Sequence, residues 1–164
     1  MTEQQKFRVI NQFEGFEIRE FDSCVVADVS VNGDIDSASS QGFRPLFNYI
    51  SKNQISMTAP VLEEELAAEN WRISFVMPDG SQLSDLPHPV DSPVTLREVP
   101  AHLAAALIFR GRTTEKAILQ AELRLNTLIK SHGFKVNGKV RIARFDPPWK
   151  PPLFRHNEVI LPVE

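Results

Sequence analysis

Apolar residues recur along this chain with two periods, one helical and one strand-like. Phe43, Leu46, Phe47 and Ile50 fall at i, i+3, i+4 and i+7, so a helix over this segment puts them on one face. Asp36 or Ser37 is placed to cap that helix, and Lys52-Asn53 to end it. Pro45 lies inside the segment and has no N–H to offer the Gln41 carbonyl, which predicts a kink or a helix start there. Further on, Ile118, Ala121, Leu125, Leu128 and Ile129 form the stripe of a second, longer helix, capped by Thr113 or Thr114 and closed by Gly133. Strand patterns surround both helices: Phe16, Ile18 and the run 24–31, the alternation Trp71, Ile73, Phe75, Met77, and residues 94–99, 103–109, 140–145 and 158–163. Residues 55–62 read as a strand interrupted by Pro60. Residues 63–70, opening on Glu63, Glu64 and Glu65, read as a solvated connection, residues 1–13 as a loosely held arm, and residues 79–92 as a surface loop around Pro87-His88-Pro89.

These elements repeat. Ile18-Arg19-Glu20-Phe21 is echoed by Leu96-Arg97-Glu98-Val99, and Gly33 by Gly111, both at an offset of 78 (96 − 18 and 111 − 33). After each glycine come a helix, a strand, a proline break and a last strand ending in Pro78 or Pro162. The order predicts one domain over residues 1–164. Its halves, at about 15–78 and 94–162, form a pseudo-twofold α+β arrangement of two βαββ units, with strands in a curved antiparallel sheet or distorted β-barrel and two helices packed outside.

Composition narrows the class without naming a function. The chain has 164 residues, 42% hydrophobic and 24% charged, enough for a domain that buries roughly 70% of its unfolded surface without metal or disulfide. A net charge of −3 gives no electrostatic reason to expect nucleic acid. One cysteine, Cys24, precludes an internal disulfide, the first ten residues are too polar for a signal peptide, and no run approaches membrane-spanning length. The expectation is a cytoplasmic protein with no membrane span.

Ordinary catalytic chemistry has little support. His88, His102, His132 and His156 show no metal-ligand spacing, and there is no nucleophile elbow, P-loop or dinucleotide fingerprint. A hydrolase or isomerase reading could use a buried acid such as Glu158, against the plainer reading of a buried or cross-strand-paired glutamate. What stands out instead is a set of aromatic and Met residues flanked by cations: Phe43, Phe47, Met57, Met77, Phe145, Trp149 and Phe154, with Arg44, Arg144, Lys150 and Arg155. These suit either an ordinary core with surface charge or a cleft for a flat apolar ligand carrying carboxylates.

Five motifs then carry a likeness. Gly42-Phe43-Arg44-x-Leu46-Phe47-x-Tyr49-Ile50, Met57-Thr58-Ala59-Pro60-Val61, Ser74-Phe75-Val76-Met77-Pro78, Ala143-Arg144-Phe145-Asp146-Pro147-Pro148-Trp149 and Arg155-x-Asn157-Glu158-Val159 resemble, in this order, the SOUL haem-binding protein family. The resemblance runs from about Gly15 to the C-terminus. It implies a GyrI-like effector-binding fold and non-covalent binding of haem or another porphyrin in a shallow groove beside the first helix, as a binder or carrier and not an enzyme. On that footing Phe43, Leu46, Phe47, Met57 and Trp149 are expected to line the groove, Arg44 and Arg144 to pair the ligand's acids, and His156 to be the one candidate iron ligand. The chain departs from the family in a shortened 51–56 loop that lacks the lysine before the Met-Thr-Ala-Pro motif, and in carrying Arg155-His156 where two arginines are usual. The alternative is an effector-sensing or protein-interaction module not specific for haem.

Overall fold

A computed structural model describes residues 2–147 and 149–164, so Met1 and Pro148 of the fourth motif lie outside the described residues. In chain order the elements are β1 (Glu3–Gln4), β2 (Phe7–Phe13), β3 (Phe16–Phe21), β4 (Cys24–Asn32), α1 (Ile35–Lys52), β5 (Thr58–Ala59), β6 (Val61–Ala67), β7 (Asn70–Val76), β8 (Thr95–Val99), β9 (His102–Arg110), α2 (Glu115–Ser131), β10 (Arg141–Arg144) and β11 (His156–Pro162). They divide into two compact units.

The first unit comprises residues 1–6 and 23–100. Its antiparallel strands run in the order β6-β7-β4-β8, with α1 packed on β4 and β7. Asp34, one residue before the helix, accepts a hydrogen bond from the Ser37 N–H at 2.9 Å, so the cap falls earlier than Asp36 or Ser37. α1 then continues through Pro45 and does not begin at it. Its buried face is Ile35, Ala38, Gly42, Leu46, Tyr49 and Ile50. Gly42 sets this orientation, because a Cβ there would meet Ile73 Cγ1 at 2.5 Å, so only glycine lets the helix lie this close to β7.

The stretch 63–70 is not a solvated connection. β6 and β7 form a hairpin in which Glu63 is buried, Glu64 pairs with Arg72 at 2.5 Å, and Glu65 faces out. Pairing with β7, and not the charge of the run, gives this stretch its structure. Residues 55–62 do break at Pro60, as β5 and β6 joined by a cis Ala59–Pro60 bond.

The second unit comprises residues 7–22 and 101–164, with strand order β2-β3-β9-β11-β10 and α2 against β9 and β11. α2 is capped by the Thr114 hydroxyl, which accepts from the Ala117 N–H at 3.1 Å. Residues 7–13, read from sequence as part of an arm, form β2 and pair with β3 across a tight turn at Gly15, whose φ of +90° favours glycine. Residues 3–4 form β1, which lies parallel to β5 in the first unit. No helix among the described residues is long and apolar enough to cross a membrane.

The repeat is visible strand by strand, but the division differs from halves at 15–78 and 94–162. β3 belongs to the second unit and β8 to the first, so each repeat gives its leading strand to the other unit. Ile18 pairs with Ala105, and Leu96 pairs with Ala27. Adding 78 to the first member of one pair gives the first of the other, and adding 78 to Ala27 gives Ala105.

Candidate functional site

Because α1 turns Gly42 and Leu46 directly onto the sheet, Phe43 and Phe47 are rotated to its flank. They are 42% and 46% exposed, respectively, whereas Leu46 has no exposed surface. The two rings stack on each other, with centroids 5.7 Å apart and planes 13° from parallel. Phe43 also meets the buried Phe75 of β7 edge-on at 5.2 Å, so the pair rests on the core and is not free to collapse into it. The result is an exposed aromatic surface built on a rigid helix. Arg44 is exposed on the next position of the same helix.

In the Met57-Thr58-Ala59-Pro60 motif Met57 is half-buried. Thr58 is buried and its hydroxyl donates to the Val76 carbonyl at 2.5 Å, Pro60 is buried, and the Gln5 N–H donates to the Ala59 carbonyl at 2.8 Å. Most of the motif holds the chain's bend in place. A tie on the same helix is less obvious from sequence: the Tyr49 hydroxyl donates to the Pro87 carbonyl at 2.7 Å, fastening the 79–93 loop to α1.

The other sequence-derived candidates belong to the second unit. Arg144 ends β10 and is half-buried. Trp149 is 84% exposed. His156 is half-buried at the start of β11, its ring 4.6 Å from that of Phe145, and its Nε2 lies 2.8 Å from Glu158 Oε2. Glu158 itself is buried and accepts from Arg19 Nη1 at 2.5 Å and Nη2 at 3.0 Å. Arg19 also pairs with Glu17 at 2.8 Å and lies over the Phe7 ring, 4.1 Å from its centroid. Burial pushes the Glu158 carboxyl up, but hydrogen bonds from His156 and Arg19 together with the Arg19 charge outweigh it and hold the group below the usual glutamate range. Its oxygens are therefore committed to partners, the arrangement of a structural ion pair.

His102 stacks on Phe21 at 5.3 Å, and His132 closes α2 with Nδ1 2.9 Å from the Leu128 carbonyl. Among the described residues no group of three or more His, Cys, Asp or Glu side chains is arranged to hold a metal ion.

Two units of antiparallel strands, each with one helix, give the chain a GyrI-like fold. The EcmrR C-terminal domain superposes with a TM-score of 0.70 at 15% identity, covering 91% of this chain and 96% of that one. A structure described as a hydrolase from Listeria innocua gives 0.66 at 14% identity, covering 94% of each chain. SAV2435 bound to tetraphenylphosphonium gives 0.52 at 8% identity, covering 91% and 93%. At such identities the likeness is one of fold. No protein of curated function matches the chain. The SOUL heme-binding protein family matches residues 2–162, and the chain belongs to that family.

Proposed function

We propose that the protein binds haem or a related tetrapyrrole non-covalently against the exposed flank of α1, as a carrier, buffer or sensor. The observation that carries this reading is the half-exposed, nearly parallel Phe43–Phe47 pair, which offers a planar macrocycle an apolar surface already held in place. A ligand face laid on these rings removes apolar area from water at about 25 cal/mol per Å², with little ordering cost because Phe43 rests on Phe75 and Phe47 stacks on Phe43. Met57 would line the same unit, and Arg44 is the cation placed to meet a carboxylate. Leu46, fully buried, would act by supporting the two rings from beneath. Arg144→Ala and Trp149→Ala measure what those two residues of the second unit add.

The residues present fit the face of a tetrapyrrole better than they fit its metal. His156 Nε2 is engaged by Glu158, so coordination through that atom would cost a hydrogen bond to a buried carboxylate. Haem, when bound, supplies its own iron chemistry, and the chain supplies an apolar seat and cations. Iron-free protoporphyrin IX is therefore expected to bind about as well as haemin, and His156→Ala to leave haemin affinity unchanged. Titration of both porphyrins by absorbance checks this, and a large loss in His156→Ala contradicts it.

The Phe43–Phe47 surface itself carries no polar atom that selects a macrocycle, which favours a second reading: an effector module for flat aryl amphiphiles in general. Competition of bound protoporphyrin by non-porphyrin aryl ligands separates the two.

A further inference from the structure

The second unit carries an exposed apolar cluster. Trp149, Leu153 and Phe154 are 84%, 74% and 60% exposed within six residues of chain. Isolated exposed apolar side chains are common on soluble proteins, but three large ones in a single loop form a patch that calls for a partner. This loop is also braced. Pro147, Pro151 and Pro152 restrict its backbone, and Pro152–Phe154 forms a single 3₁₀ turn packed near β9. Asp146 ties its base, accepting from the His156 N–H at 2.6 Å and from Lys150 Nζ at 2.9 Å, while Arg155 Nε donates to the Lys150 carbonyl at 2.8 Å. The rings are presented to water by a structure that holds them there.

Charge identifies the partner. The second unit holds 13 Lys and Arg against 9 Asp and Glu, a net +4, whereas the first holds 5 against 12, a net −7. Several of those cations are at the base of the loop: Arg110 lies directly across from His156 in the β9–β11 ladder, and Arg112 follows Gly111, whose carbonyl accepts from Asn157 Nδ2 at 3.0 Å. Both are exposed, and Lys150 and Arg155 stand within the loop itself. From Trp149 to Asn157 there is no carboxylate.

We infer that this loop is an anchor for an anionic lipid bilayer, with Trp149, Leu153 and Phe154 entering the headgroup–acyl boundary and Arg110, Arg112, Lys150 and Arg155 facing lipid phosphates and carboxylates. Trp and Phe are the side chains that settle at that boundary, and juxtaposed cations add attraction to an anionic leaflet. The inference is independent of what α1 binds.

The test uses Trp fluorescence of the whole protein with vesicles of phosphatidylcholine alone or of about three parts phosphatidylcholine to one part phosphatidylserine. The chain has two tryptophans, and Trp71 is buried, so a blue shift reports Trp149. The expected result is a blue shift and co-sedimentation with the mixed vesicles, both reduced by about 0.5 M salt, which shortens the reach of charge. The double variant Leu153→Ser/Phe154→Ser should bind at least about tenfold more weakly, and Arg110→Glu/Arg112→Glu should also weaken binding, with far-UV circular dichroism unchanged in both. The inference is overturned by an unshifted spectrum with no co-sedimentation, by equal binding to phosphatidylcholine alone, or by undiminished binding of the Leu153/Phe154 variant. Haemin titration of that same variant, whose substitutions lie outside the α1 surface, keeps failure of this inference distinct from failure of the tetrapyrrole reading.

Discussion

Arg19 and Glu158 join two distant parts of the sequence in one buried pair, with no solvent to screen either charge. Removing the arginine leaves a carboxylate in the interior with His156 as its remaining partner among the described residues, a loss of about 3 kcal/mol or more. Arg8, paired with Glu20 on the surface at 2.7 Å, sets the comparison, and its removal should cost about 0.5 kcal/mol. Chemical denaturation of Arg19→Ala and Arg8→Ala checks the contrast. The pH dependence has a definite sign. Glu158 is held below its ordinary 4.5 when folded, so its contribution is present at neutral pH and is lost as pH falls from that value through the lower folded one. Glu158→Gln should therefore show a shallower acid loss of stability than the parent chain below pH 4.5, measured as denaturation midpoint against pH. At this scale sequence could name Glu158 and weigh a paired state against an open one. Arg19 was identifiable only as part of a repeat, because a partner 139 residues away leaves no local pattern.

α1 shows what periodicity resolves and what it does not. The i, i+3, i+4, i+7 spacing placed Phe43, Leu46, Phe47 and Ile50 on one face, yet two of the four are half-exposed. A hydrophobic stripe is wider than the line of contact, and the line is fixed by Gly42, a residue with no hydrophobic signal of its own. Gly42→Ala is informative for this reason. In an isolated helix alanine is favoured over glycine by about 1 kcal/mol, but here the added methyl meets Ile73, and a net destabilisation of about 1–2 kcal/mol is expected. Thermal unfolding decides the sign. α2 was legible nearly to its ends because Thr114 and Gly133 mark them, whereas β2 was missed because Arg8, Asn11 and Gln12 dilute its alternation and pairing with β3 supplies what propensity does not.

For the chain as a whole, the 78-residue repeat read from a few matched residues is written into the strand ladders, but exchange of β3 and β8 between units is invisible to a linear reading. It has a consequence for truncation. A fragment of residues 1–92 lacks β8 for the first unit and β9 for β3, so it should remain unfolded by circular dichroism, although the cut falls in the exposed 79–93 loop. The fold class and the family were legible because five motifs keep their order along the chain. The candidate site was legible only in part: Met57-Thr58-Ala59-Pro60 proved largely a backbone device, and the exposed aromatic pair depends on a helix rotation that no motif encodes.

The most direct measurement is a haemin titration of the parent chain beside Phe47→Asp. The account predicts a saturable Soret change for the parent, and at least about a tenfold loss of affinity when a carboxylate replaces one of the two exposed rings. A parent titration no different from that of an unrelated protein, or equal binding by Phe47→Asp with its fold intact, would contradict it.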